Sequence, residues 1–144
     1  MKVVVTDAQL LEQFEQLTLP FELWTHQAHV RVAFIYLQRF DFDEALDRLR
    51  AGIKAFNARN NVPESATSGY NETTTHAFAH LIAATMQAYE ELIPAADSQA
   101  FCEAHPQLMT RHALRLFYSP KCTMNPLAKT TFVPPDLAPL PRRK

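Results

Sequence analysis

Two histidines one helical turn apart, His26 and His29, are the residues of this chain best suited to chemistry. They lie at the start of Trp24–Phe40, WTHQAHVRVAFIYLQRF, which reads as one long amphipathic helix. At roughly 100° per residue, positions 26, 29, 30, 33, 36, 37 and 40 share one face. These are His, His, Val, Ala, Tyr, Leu and Phe, so the imidazoles fall on the core-facing stripe. Two imidazoles so placed are close enough to share a metal ion. The plainer alternative is a pair of core histidines, each hydrogen-bonded to backbone or water.

A second polar cluster opens the helix expected over 71–93, Tyr70-Asn71-Glu72-Thr73-Thr74-Thr75-His76. Relative to its apolar stripe of Phe78, Leu81, Ile82, Thr85, Tyr89 and Leu92, Asn71, Thr74 and Thr75 point coreward. His76 and His80 point away and read as solvated. Glu72 lies between these directions, and a first-turn side chain can bend inward past the helix end.

The elements that must position these groups follow from periodicity. A capping box, Thr6 with Gln9, opens a helix over 7–17. Asp41 to Glu44 starts a third, with Phe42, Ala45, Leu46, Leu49, Ile53 and Phe56 as its stripe and Arg48, Arg50 and Lys54 on its solvated side. Gly52 within it implies close packing by a neighbouring helix. Asn57–Tyr70 has no apolar period and is a loop, long enough to act as a partial lid. Pro94 ends the 71–93 helix, and two shorter helices follow at 95–104 and 108–118. His105 is expected to cap carbonyls, and His112, beside Arg111 and Arg115, to be exposed. From Ser119 six of the ten prolines fall in a tail that is expected not to stay helical. Phe132, Val133, Leu137 and Leu140 have a use there only if the tail wraps the bundle. The fold class is therefore all-α: one helical domain over 1–144, with 119–144 as a Pro-rich extended tail.

Composition excludes several functions. With net charge −1 and one short basic run, Arg142-Arg143-Lys144, read as a solvated tail, nucleic acid is not the expected partner. Two glycines in 144 residues leave no room for a P-loop or a dinucleotide fingerprint. Met1-Lys2-Val3-Val4-Val5 lacks the apolar stretch of a leader, and no segment is long enough to span a bilayer. Cys102 and Cys122 make no disulfide framework and have no base in register. A reduced, cytoplasmic setting is the expectation.

W-x-H-x-x-H (Trp24, His26, His29), the run Ala45-Leu46-x-Arg48-Leu49-Arg50-Ala51-Gly52-Ile53, SGY-x-ET (Ser68 to Thr73) and the ending FVPPDLAPLP (Phe132–Pro141) are similar to a family of small bacterial helical proteins of unassigned function. The resemblance runs over most of the chain in the same order. Members of that family carry SGYHET, with histidine where this chain has Asn71. The resemblance thus implies a metal triad of His26, His29 and that third imidazole, with Glu72 beside it. An amide at Asn71 is a poorer zinc ligand and weakens such a site.

These readings predict a small metal-dependent enzyme acting on an unidentified small molecule. His26, His29 and Glu72 hold zinc or iron(II), for hydrolysis or oxygen chemistry respectively. Glu72 and Tyr70 are the catalytic candidates, and Trp24, Asn71 and Thr75 contact substrate. A metal-free variant has a histidine as general base, oriented by Glu72. The rival is a non-catalytic module that binds a small molecule or partner and keeps its histidines for structure.

Overall fold

The computed structural model describes residues 5–144, and Met1 to Val4, where no leader is expected, lie outside them. The described residues are all-helical: α1 (Asp7–Glu15), α2 (His26–Arg39), α3 (Phe42–Arg59), α4 (Glu72–Tyr89), α5 (Ser98–Ala104), α6 (Pro120–Thr123) and α7 (Pro126–Thr130), with short 3-10 turns between. No helix among them is long and apolar enough to cross a membrane.

α2 is the central element and packs against α1, α3, α4 and α5. Its middle is buried almost all round, from Val30 to Tyr36, so the single stripe read from the sequence understates it. Burial extends even to Arg31, whose guanidinium donates to Ser98 Oγ at 2.7 Å and pairs with Asp7 at 3.3 Å. Asp7 also accepts from the backbone N–H of Ser98 at 3.0 Å, which ties α1 to the start of α5. No buried side-chain nitrogen or oxygen among the described residues lacks a partner.

The caps follow the sequence chemistry closely. Thr6 and Gln9 form the capping box of α1, and Thr25, Asp41 and Asn71 each accept an N–H in the first turn of α2, α3 and α4. Gly52 is where α1 and α3 touch, because an added Cβ would stand 2.5 Å from Phe14 Cε2. Phe14 in turn stacks on Trp24 at 4.7 Å and meets Phe56 at 5.9 Å.

α1 ends at Glu15 and α5 starts at Ser98, two and three residues inside the expected ranges, and larger differences occur in three places. α4 stops at Tyr89, leaving Leu92 exposed. The helix expected over 108–118 is two 3-10 turns, Pro106–Leu108 and Arg111–Leu116, separated where Thr110 caps the second. The prolines after Ser119 start helices rather than forbidding them. Pro120 and Pro126 occupy first-turn positions behind the caps Ser119 and Asn125, where a missing N–H costs nothing. Beyond Thr131 the chain has no helix and runs over the bundle. Phe132, Val133 and Leu140 pack on the core, whereas Leu137 is exposed.

Candidate functional site

The first turns of α2 and α4 border one cavity of about 570 Å³. Apolar side chains make most of its wall, among them Trp24, Val30, Ile53, Phe78 and Ile82. The polar groups are Thr25, His26, His29, Tyr70, Asn71, Thr74 and Thr75, with Asn57 and Arg111 further round. Four expected site residues, Trp24, His26, His29 and Tyr70, therefore meet two more, Asn71 and Thr75, on one surface. The loop after α3 contributes Val62 and Gly69, so it closes one side. Such a largely apolar concavity with a few placed polar groups is the usual form of a small-molecule site.

Backbone carbonyls fix both imidazoles. His26 Nε2 lies 2.8 Å from the Leu108 carbonyl, and His29 Nδ1 lies 2.7 Å from that of Thr25. A carbonyl only accepts, so these nitrogens carry the protons and donate. In the neutral ring the other nitrogen, Nδ1 of His26 and Nε2 of His29, is then a bare acceptor. Burial pushes the His29 imidazole down to about 4, against the opposing pull of the Thr25 carbonyl. The His26 imidazole is lowered by burial too, with a smaller push from the Arg111 charge. Ring packing adds to this rigidity: His29 lies 3.8 Å from the Trp24 ring, and His26 meets the edge of Phe78 at 5.1 Å.

Glu72 does not join them. It is buried, but it is absent from the cavity wall and holds other partners. Arg50 grips it with two bonds, Nε to Oε1 at 2.8 Å and Nη2 to Oε2 at 2.7 Å. Tyr70 donates its hydroxyl to Oε1 at 2.6 Å. The Arg50 hydrogen bonds hold the Glu72 carboxyl below its usual range. Arg50, read as a solvated charge, is thus the counter-ion of a buried acid and a tie between α3 and α4. Burial and that same carboxylate push the Tyr70 phenol well above its usual value, so Tyr70 is a poor proton donor to substrate. The expected trio of His26, His29 and Glu72 does not assemble as a metal shell, since both Glu72 oxygens face Arg50 and Tyr70. Among the described residues no group of three or more His, Cys, Asp or Glu is arranged to hold a metal.

Asn71 is spent locally as well. Its Oδ1 caps Thr74 N at 2.9 Å and its Nδ2 donates to the Thr123 carbonyl at 3.3 Å. Beside it, Gly69 has φ +92° and would place a Cβ against the Glu64 carboxylate, which accepts from Tyr70 N and pairs with Lys129 at 2.9 Å. The SGY-x-ET turn is thereby clamped from α3, from the loop and from α7.

The remaining candidates have other uses. His76 stacks on Phe132 at 3.9 Å, and His80 donates to the Pro141 carbonyl and accepts from Arg143 Nε at 3.2 Å. Neither is free in solvent, nor is Arg143, whose guanidinium lies 3.7 Å over the Phe42 ring. His105 caps α5 through its backbone N–H, which donates to the Phe101 and Cys102 carbonyls, while its ring is buried between Tyr89 and Phe101. Burial pushes the Cys102 thiol up to about 11, consistent with an inert core cysteine. A second cavity of about 610 Å³ lies between the C-terminal halves of α2 and α4, with His105, Arg143 and Lys144 in its wall. Arg111 at the histidine cavity had no signal in the sequence, because it arrives on a 3-10 turn with no periodicity to point it.

No protein-family model matches the chain, and no curated protein or solved structure matches it.

Proposed function

We propose that the chain binds a small, largely apolar molecule in the cavity between α2, α3 and the start of α4. One observation carries this reading: two imidazoles on the wall of a largely apolar cavity of about 570 Å³ are each locked by a carbonyl through one ring nitrogen, which leaves the other as an acceptor. A bare imidazole nitrogen accepts a hydrogen bond, so the ligand carries a hydroxyl or N–H donor. Acid–base catalysis is less well supported. An imidazole with a pKa near 4 is a weak base at neutral pH, and the best catalytic base titrates near the working pH. Glu72 orients neither histidine, being held by Arg50. The binding module therefore fits the geometry better than the catalytic trio.

Para-cresol tests this reading, having an apolar ring and one hydroxyl donor. Saturable movement of the His26 and His29 ring resonances and of the Trp24 indole is expected in heteronuclear NMR. Unmoved resonances at millimolar probe would end the proposal.

A second reading keeps a divalent metal on His26 and His29 alone. Carbonyl-anchored imidazoles favour it, because metal-bound histidines commonly donate their other ring N–H to such a group. Zinc or iron would still need donors from water or ligand. Stoichiometric metal in tag-free protein, lost in His26→Ala and His29→Ala and retained in Glu72→Gln, is what this reading expects. Protein that purifies and stays metal-free in excess zinc would exclude it.

A further inference from the structure

The charges around the histidine cavity narrow the ligand class, an inference that rests on the binding reading above. No Asp or Glu stands among the residues of its wall. Each imidazole spends one ring N–H on a backbone carbonyl, Leu108 for His26 and Thr25 for His29. The one formal charge left on the wall is Arg111. Arg111 is exposed and makes no ion pair among the described residues. The other cavity is different: there Arg143 and Lys144 share the wall with Asp41 and Glu90. An arginine with no counter-ion, on the rim of an apolar concavity, attracts an anionic group more strongly than the same arginine on an open surface.

The position of the charge matters as much as its sign. Thr25 and His26, where α2 begins, and Asn71, Thr74 and Thr75, where α4 begins, lie on the same wall, so both helices turn their positive ends toward it. The bare imidazole nitrogens, in contrast, repel a carboxylate and accept from a donor. An anionic end and a donor end must therefore go to different places.

We propose that the cavity takes a small amphipathic acid: a carboxylate at Arg111, an apolar body along Val30, Phe78 and Ile82, and a hydroxyl or N–H donor against His26 or His29. Planar bidentate pairing with a carboxylate is what a guanidinium does best and an ammonium does less well. A cationic ligand is disfavoured by the same inventory, because nothing on the wall neutralises it.

Three probes test this: para-hydroxyphenylpropionate, its neutral amide of the same shape, and para-cresol, which lacks the acid arm. Binding is followed by NMR of the His26, His29 and Trp24 side chains. The carboxylate should bind at least about tenfold tighter than the amide, and the advantage should vanish in Arg111→Gln. Arg111 is exposed on a 3-10 turn, so that variant should fold normally, and its unchanged melting temperature checks this. Arg111→Lys should keep part of the preference. Equal binding of acid and amide, or an advantage that survives in Arg111→Gln, overturns the anion assignment while leaving the pocket reading intact. Binding of para-cresol alone does the same. Failure of all three probes at millimolar concentration overturns both.

Discussion

His26 and His29 on α2 and His76 and His80 on α4 are two histidine pairs of nearly equal spacing with different surroundings. The first pair is tied to carbonyls of Leu108 and Thr25, and both residues border a cavity. The second lies under the C-terminal strap: Phe132 stacks on His76, while Pro141 and Arg143 bond His80. Helical spacing made the first pair a candidate and set the second aside as solvated. What separates them is the neighbour each face meets, and only for the first pair does that neighbour leave room. Spacing places a side chain on a face, and the rest of the chain decides what that face is for.

The largest expected effect comes from removing the neighbour of the second pair. Truncation after Thr131 deletes Phe132, Val133 and Leu140, which pack on the core. It also removes the Val133 carbonyl that accepts from the Tyr118 hydroxyl at 2.7 Å. Partial burial of those side chains is worth roughly 3 kcal/mol in total. At about 2–4 °C per kcal/mol for a chain of this size, the melting temperature should fall by about 6–12 °C. His76 and His80 resonances should shift strongly and those of His26 and His29 hardly at all. Equal shifts in both pairs would mean that the strap and the cavity are coupled, and the contrast between the pairs would not hold.

Next in size is the tie behind the cavity. Arg50→Met leaves Glu72 buried without its cation, with only Tyr70 still bonded to it. Breaking a buried pair from one side costs about 3–5 kcal/mol, and the partial exposure of Arg50 brings the expectation to about 2 kcal/mol. Chemical denaturation should show that loss, and Arg50→Met with Glu72→Gln together should recover part of it. Recovery with new metal binding in Arg50→Met alone would show that the released carboxylate can reach the imidazoles. Gly52→Ala belongs on the same scale. The small gain in helix propensity is outweighed by the 2.5 Å approach to Phe14 Cε2, for a net loss of about 1–2 kcal/mol.

How much of this was legible before the structure depends on the range of the interaction. The helix starts at Thr6, Thr25 and Asp41 were readable because a cap bonds three residues ahead, whereas Asn71, read as a core-facing substrate contact, turned out to cap α4. The face of α3 was readable, and so was the close contact at Gly52, because a glycine inside an amphipathic helix has few other uses. The cavity wall was partly readable: Trp24, His26, His29, Tyr70, Asn71 and Thr75 do share one surface. Arg50 and Glu72, 22 positions apart in sequence, were each readable as charged but not as each other's partner. The burial of Arg31 against Asp7 and Ser98 was invisible for the same reason. Periodicity sorts residues into inward and outward, and a buried ion pair breaks that sorting at both its ends. Prolines 120 and 126 misled in a different way, because a helix stop and a first-turn residue are the same amino acid in two positions.

The smallest expected effect is the most direct probe of the first pair. Trp24 is the chain's one tryptophan, and its ring centroid lies 3.8 Å from that of His29. A charged imidazole against an indole quenches its emission, so Trp24 fluorescence reports the charge on His29. The folded imidazole titrates near 4 and the unfolded one near 6.5, so between those values the unfolded chain binds the extra proton. Stability due to the neutral ring is therefore fully present above about pH 6.5 and lost as pH falls toward about 4. His76, also lowered by burial, adds to the same slope without touching Trp24. Quenching centred near pH 4 in protein still folded by circular dichroism is the expected result, absent in His29→Gln. His76→Gln should flatten the stability slope and leave the quenching curve in place. A quenching midpoint near 6.5 would mean that His29 is open to water, and the cavity would then lack the dry acceptor on which its ligand reading depends.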